Sequence, residues 1–77
     1  AREKFDYDFM TKATEKEREI LVKIAKNTQQ AFQPAEIKIP NARKYLRFLT
    51  EKELLTQLER GKYSLYHPLF KEYLKQK

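Results

Sequence analysis

The chain has 77 residues, with 17 Lys and Arg against 11 Asp and Glu for a formal charge of +6, and no Cys; disulfide frameworks and thiolate metal sites are therefore excluded, and a reducing, cytoplasmic setting fits. A chain of this length buries roughly 60–65% of the surface its unfolded form exposes, which suits one modest core and a single domain over 1–77. No stretch approaches the ~20 consecutive apolar residues of a membrane span, and Ala1-Arg2-Glu3-Lys4 lacks the apolar run of a signal peptide, so a soluble protein with no membrane partner is expected, and the opening on Ala1 reads as a fragment of a longer polypeptide.

In chain order, Phe5-Asp6-Tyr7-Asp8-Phe9 alternates aromatic and acidic residues, and residues 1–13 read as an extended arm with one apolar edge against the core. Thr14 and Glu17 have the spacing of a capping box, which predicts a helix from Glu15. Its apolar Ile20, Leu21, Ile24 and Ala25 recur with helical spacing, while Glu15, Lys16, Glu19, Lys23 and Lys26 fill the rest of the circumference. Periodicity is lost between Thr28 and Gln33, and Pro34 can open a very short second helix carrying Ala35, Ile37 and Ile39. Pro40 disfavours helix at Ile39 and is preorganised for the first turn of a third helix running from Asn41 to Lys52.

At ~100° per residue, Ala42, Tyr45, Leu46 and Leu49 of that helix share one face and Arg43, Lys44, Arg47 and Glu51 share the opposite one. Leu54-Leu55-Thr56-Gln57-Leu58 and Tyr63-Ser64-Leu65-Tyr66 are short runs with partial alternation on either side of Glu59-Arg60-Gly61-Lys62, the signature of a hairpin. The chain's one Gly stands at the tip, where a type I turn closing in the left-handed region needs it. Pro68 then starts a last amphipathic helix with Leu69, Phe70, Tyr73 and Leu74 on its inner side.

The resulting class is mainly α with a small β-hairpin, and the order of elements predicts a winged helix-turn-helix. A three-helix bundle would leave the hairpin unexplained; an isolated ribbon is marginal unless it packs on helices, as here it would. Tyr63-Ser64-Leu65-Tyr66-His67-Pro68-Leu69-Phe70-Lys71-Glu72-Tyr73-Leu74, preceded by Arg60-Gly61-Lys62, resembles the ending of the winged-helix domain that follows the nucleotide-binding module in archaeal AAA-related ATPases of the signal-transduction type. Thr14 to Ile24 is similar to that domain's opening helix, and Tyr45-Leu46-Arg47-Phe48-Leu49 with Leu54-Leu55 resembles its passage from helix to wing. The chain departs from the pattern at Glu53, where many winged helices have Gly before the first wing strand, and at His67, where an acidic residue is commoner. The resemblance implies a regulatory module of a larger ATPase, with any ATP hydrolysis in a part outside this chain.

Catalysis finds little to work with: His67, Ser64 and Gly61 are the sole His, Ser and Gly, so a nucleophile with its base, a multi-histidine metal site and a phosphate-cradling glycine loop are all missing. No enzyme activity, cofactor or metal is expected. Asp6 and Asp8 could hold a cation, but their alternation with aromatics reads as a solvated strand edge. His67 is expected to accept a free amide at the start of the last helix or to cover the wing. Tyr45, Phe48, Tyr63, Phe70 and Tyr73 fall on core faces or their edges and are read as core before stacking platforms.

The basic residues carry the functional expectation. In a helix-turn-helix the third helix enters the major groove, where Asn pairs with adenine and Arg with guanine, and wing-tip cations reach phosphates or the minor groove. Asn41, Arg43, Lys44 and Arg47 on the helix, with Arg60 and Lys62 beside the wing turn, make double-stranded DNA the expected partner, although Glu51, Glu53 and Glu59 interrupt the patch. The alternative is a protein-docking or lid module of an ATPase, without DNA binding; an exposed cluster of Phe5, Tyr7, Phe9 and Phe32 would mark it.

Overall fold

In the computed structural model, which describes residues 2–77, the chain opens on a helix, α1 (Arg2–Lys12), where an extended arm is predicted. Periods of two and of 3.6 coincide at i and i+4, so Phe5 and Phe9 lie on one edge of a strand but equally on one face of a helix, which Ala13 continues. All three are buried. Phe5 meets Tyr66, Phe70 and Tyr73, and Phe9 meets Tyr73, with ring centroids 5.5–6.1 Å apart. The aromatic contacts that select the helix thus lie at the far end of the chain.

The next helix, α2 (Glu15–Asn27), begins where its capping box places it: the Glu17 amide donates to Thr14 Oγ1 at 3.2 Å and the Thr14 amide to Glu17 Oε1 at 2.9 Å. Ile20, Leu21, Ile24 and Ala25 are its buried face. Beyond it, Phe32 exchanges two backbone hydrogen bonds of 2.8 Å with Tyr63, a single antiparallel rung that fixes the loop. Phe32 is 1% exposed, so it belongs to the core and not to an outer cluster.

Pro34–Ile37 forms a 3-10 turn, shorter than a helix, opened by the Gln33 amide donating to Glu36 Oε2 at 2.8 Å. Lys38 (φ 50°) and Asn41 (φ 61°) both adopt the left-handed region, and α3 (Ala42–Glu51) starts one residue later than predicted because Asn41 serves as its cap. Leu46 and Leu49 anchor α3 in the core. Its end is a Schellman turn: the Leu54 amide donates to the Leu49 carbonyl and the Glu53 amide to the Thr50 carbonyl, each at 3.0 Å, with Leu49 and Leu54 buried against the core cluster. Glu53 occupies the left-handed position (φ 65°) that Gly would fill without strain.

Strands β1 (Leu55–Glu59) and β2 (Lys62–Leu65) pair antiparallel, Leu55 opposite Leu65 and Gln57 opposite Tyr63. The register slips between Gln57 and Glu59, leaving Leu58 in a bulge, and Gly61 closes the turn at φ 76° as the sequence predicts. In α4 (Pro68–Lys75), His67 Nδ1 accepts the Leu69 amide at 3.1 Å, and Phe70, Tyr73 and Leu74 face inward. The described residues are thus mainly helical, with four α-helices and one two-stranded antiparallel sheet around a shared cluster of buried side chains.

Candidate functional site

Two sets of charged side chains lie on this frame. The first surrounds Asp8. Although α1 is a surface helix, Asp8 is only 2% exposed; it accepts from Tyr66 Oη at 2.9 Å and from Lys4 Nζ at 3.1 Å, with Lys12 Nζ 3.7 Å away. A solvated strand edge is therefore not what Asp8 forms: helical geometry turns it inward, and a tyrosine from the end of the hairpin satisfies it. Burial works against its ionised form, but the hydrogen bonds from Lys4 and Tyr66 and the charge of Lys12 outweigh that, holding the carboxyl below its ordinary range. Burial and then the Asp8 hydrogen bond and charge push the Tyr66 phenol well up.

Glu17 is a second such group. Buried at the start of α2, it completes the capping box and binds the Lys52 ammonium just past α3. Burial again opposes the charge, and the Lys52 hydrogen bond with the Thr14 amide reverses the balance, so this carboxyl too is held low. Asp6 takes the Tyr73 hydroxyl at 2.6 Å and lies 3.7 Å from Lys77 Nζ. Lys71 donates to the Thr28 carbonyl at 2.6 Å, and burial lowers its ammonium from the usual lysine range. These groups tie helices to one another. Among the described residues no group of three or more His, Cys, Asp or Glu converges as a metal site would require.

The second set is on α3 and the hairpin. Asn41, Arg43, Lys44, Arg47 and Arg60 are exposed, and Lys62 is half-buried. The Asn41 side chain makes no capping hydrogen bond. Lys62 pairs with Glu59 at 3.9 Å, whereas Arg43, Lys44, Arg47 and Arg60 have no acidic partner among the described residues. Lys44 and Arg47 rest instead near aromatic rings: Lys44 Nζ is 5.8 Å from the Tyr45 centroid and 5.9 Å from that of Phe48, and Arg47 Cζ is 5.9 Å from Phe48.

The structure gathers Asn41, Arg43, Lys44 and Arg47 on one helix, and α3 packs against β1, the strand that leads to Arg60. The acidic residues that interrupt the patch in sequence fall into different places. Glu59 is taken up by Lys62, while Glu53 lines a cleft of about 620 Å³ together with Asp8, Lys4 and Lys12.

One residue escaped sequence reasoning. Lys38 is exposed, has no acidic partner among the described residues, and lines a groove of about 590 Å³ with Arg43, Lys44, Pro34, Ala35 and Ile39. It belongs to no amphipathic face, and only the turn between Pro34 and Pro40 brings it beside the start of α3. The candidate docking cluster fares differently: Phe5, Phe9 and Phe32 are buried, and Tyr7 is left exposed at 64%.

No helix among the described residues is long and apolar enough to cross a membrane. Comparison with family models, curated proteins and solved structures returns no match for the chain.

Proposed function

We propose that the chain is a winged-helix domain that binds double-stranded DNA, with α3 as the recognition helix and the β1–β2 hairpin as the wing. The observation that carries this reading is a run of exposed cations on adjoining elements: Lys38, Arg43, Lys44, Arg47 and Arg60 fall between the 3-10 turn and the hairpin tip, and none of them has an acidic partner among the described residues. Of the remaining cations, Lys4, Lys12, Lys52, Lys75 and Lys77 are held by carboxylates of the chain itself and Arg18, Lys26 and Lys71 donate to backbone carbonyls, while Lys16 and Lys23 on α2 also lack an acidic partner among the described residues. Cations left uncompensated at a neighbouring helix and hairpin suit a polyanion that presents phosphates to both.

The fold assignment draws on the order of elements that follows α1, namely helix, short turn, helix, hairpin, helix, and on the Phe32 rung, which adds a third strand-like segment to the hairpin ahead of the 3-10 turn. Asn41, Arg43 and Arg47 then read base edges, and Lys38, Lys44, Arg60 and Lys62 reach phosphates. The domain serves as the DNA-contacting or regulatory end of a larger ATPase-like protein.

Fluorescence anisotropy of a labelled random-sequence duplex, titrated with the domain at several salt concentrations, tests this. Binding in about the micromolar range is expected, with a log–log salt slope of several units, since each neutralised phosphate contributes about −0.9. Arg43→Ala and Arg47→Ala should each weaken binding while leaving the circular dichroism melt in place. Absence of binding at low salt would overturn the reading in favour of a protein-docking module, and an ATPase module would then be the partner to test.

A further inference from the structure

Phe48 stands on the outward side of α3, one helical turn after Lys44 and next to Arg47, and it is half-buried. Both cations lie within the roughly 6 Å over which a ring attracts a positive charge. Tyr45 meets the same ring edge-on, centroids 6.5 Å apart and planes at 87°, so the ring is braced from its own helix. Arg47 has another choice: Glu51 follows one turn later, at the spacing where an Arg and a Glu on a helix surface can pair. No ion pair joins them among the described residues, and the guanidinium lies by Phe48 instead.

This arrangement speaks against one use of the aromatics and for another. Rings attended by cations of their own chain are poorly free to stack on unpaired bases. What they can do is gather charge. Lys and Arg side chains lose much rotamer freedom when they dock, and cations already drawn to one ring lose less on meeting a partner.

We infer that Phe48 is a positioning residue for nucleic-acid binding, its ring holding Lys44 and Arg47 as a preorganised pair facing the DNA phosphates. The inference rests on the DNA-binding reading above. Phe48 need not touch the nucleic acid, and it keeps Arg47 from neutralising itself against Glu51.

The test uses Phe48→Leu, which keeps an apolar side chain but loses the ring, and Phe48→Trp, which keeps a ring. Duplex titration at fixed low salt should show about fivefold weaker binding for the Leu variant, the effect expected of lost cation–ring attraction, and near-normal binding for the Trp variant. In the free protein, NMR should show the side-chain methylene protons of Arg47 shifted upfield by the ring, the shift being lost in Phe48→Leu, while those of Lys44, which also lies by Tyr45, should lose only part of theirs. A merely apolar role would be served by Leu and would leave duplex affinity unchanged. Wild-type protein that fails to bind duplex would sink the proposed function and this inference with it. Wild-type binding matched by Phe48→Leu, or methylene protons at random-coil positions in the wild type, would overturn the inference alone.

Discussion

Helices α1 and α3 are almost equal in length, 11 and 10 residues, and both carry Lys and Arg on the molecular surface, yet they use charge in opposite ways. On α1, Lys4 and Lys12 converge on Asp8, and Asp6 serves Tyr73 and Lys77. On α3, Arg43, Lys44 and Arg47 answer to no carboxylate among the described residues. Each helix carries three Lys and Arg, but α1 balances them with Glu3, Asp6 and Asp8 whereas α3 has only Glu51, which pairs with none of them. A cation already bound to a buried carboxylate contributes to holding the fold, and using it for a ligand would leave that carboxylate unpaired, whereas an uncompensated cation is available at little cost.

The largest effect expected from breaking this contrast comes from beneath α3. Leu46→Ala removes a side chain that is fully buried and should cost about 2–5 kcal/mol, whereas Arg47→Ala, one position away on the outward side, should stay within about 0.5 kcal/mol of wild type. Urea denaturation of the two variants decides it; similar losses would mean that the inner and outer faces of α3 are wrongly assigned.

On α1 the effect should be smaller but should carry a pH signature. Asp8→Asn weakens the site that gathers Lys4, Lys12 and Tyr66 and should cost about 1–3 kcal/mol at neutral pH. Asp8 and Glu17 both titrate lower in the folded chain than in the unfolded one, so on acidification the unfolded chain takes up protons first. Their contribution is present above the unfolded carboxyl range and is lost as the pH falls below about 4 toward the folded values. Thermal melts across that range should show wild type losing stability faster than Asp8→Asn; parallel curves would separate Asp8 from the acid sensitivity. Duplex affinity at neutral pH should be the same for both.

The smallest effect should be a gain. Glu53 holds a left-handed conformation at the end of α3, and Glu53→Gly removes that strain for a stabilisation of about 1 kcal/mol, reduced by the extra freedom of Gly in the unfolded chain. A rise in melting temperature would fit the strain; an unchanged or lower one would show that the Glu53 side chain contributes more than its backbone conformation costs.

These expectations also mark what could be read in advance. The start of α2 follows from Thr14 and Glu17, three residues apart, and the hairpin turn from Gly61. The outward set Arg43, Lys44 and Arg47 follows from helical period alone and is exposed as that period requires. The cap of α4 lies in the adjacent pair His67 and Pro68. The cation-bearing stretch of the candidate site was thus legible except for Lys38, whose position depends on two left-handed residues and a proline between them.

What was misread involves distance along the chain. Phe5 and Phe9 fit a strand or a helix equally well until Phe70 and Tyr73 are known to lie beside them, and Asp8 reads as solvated until Tyr66, 58 residues away, donates to it. The rung between Phe32 and Tyr63 and the bond between Glu17 and Lys52 are of the same kind. By itself the sequence determined caps, turns and the faces of its amphipathic helices, because these arise from groups within about one helical turn of each other. The tertiary structure alone decided that α1 is a helix and which charges are taken and which left free, because a carboxylate or a ring acts on whatever the completed fold brings within a few ångströms of it.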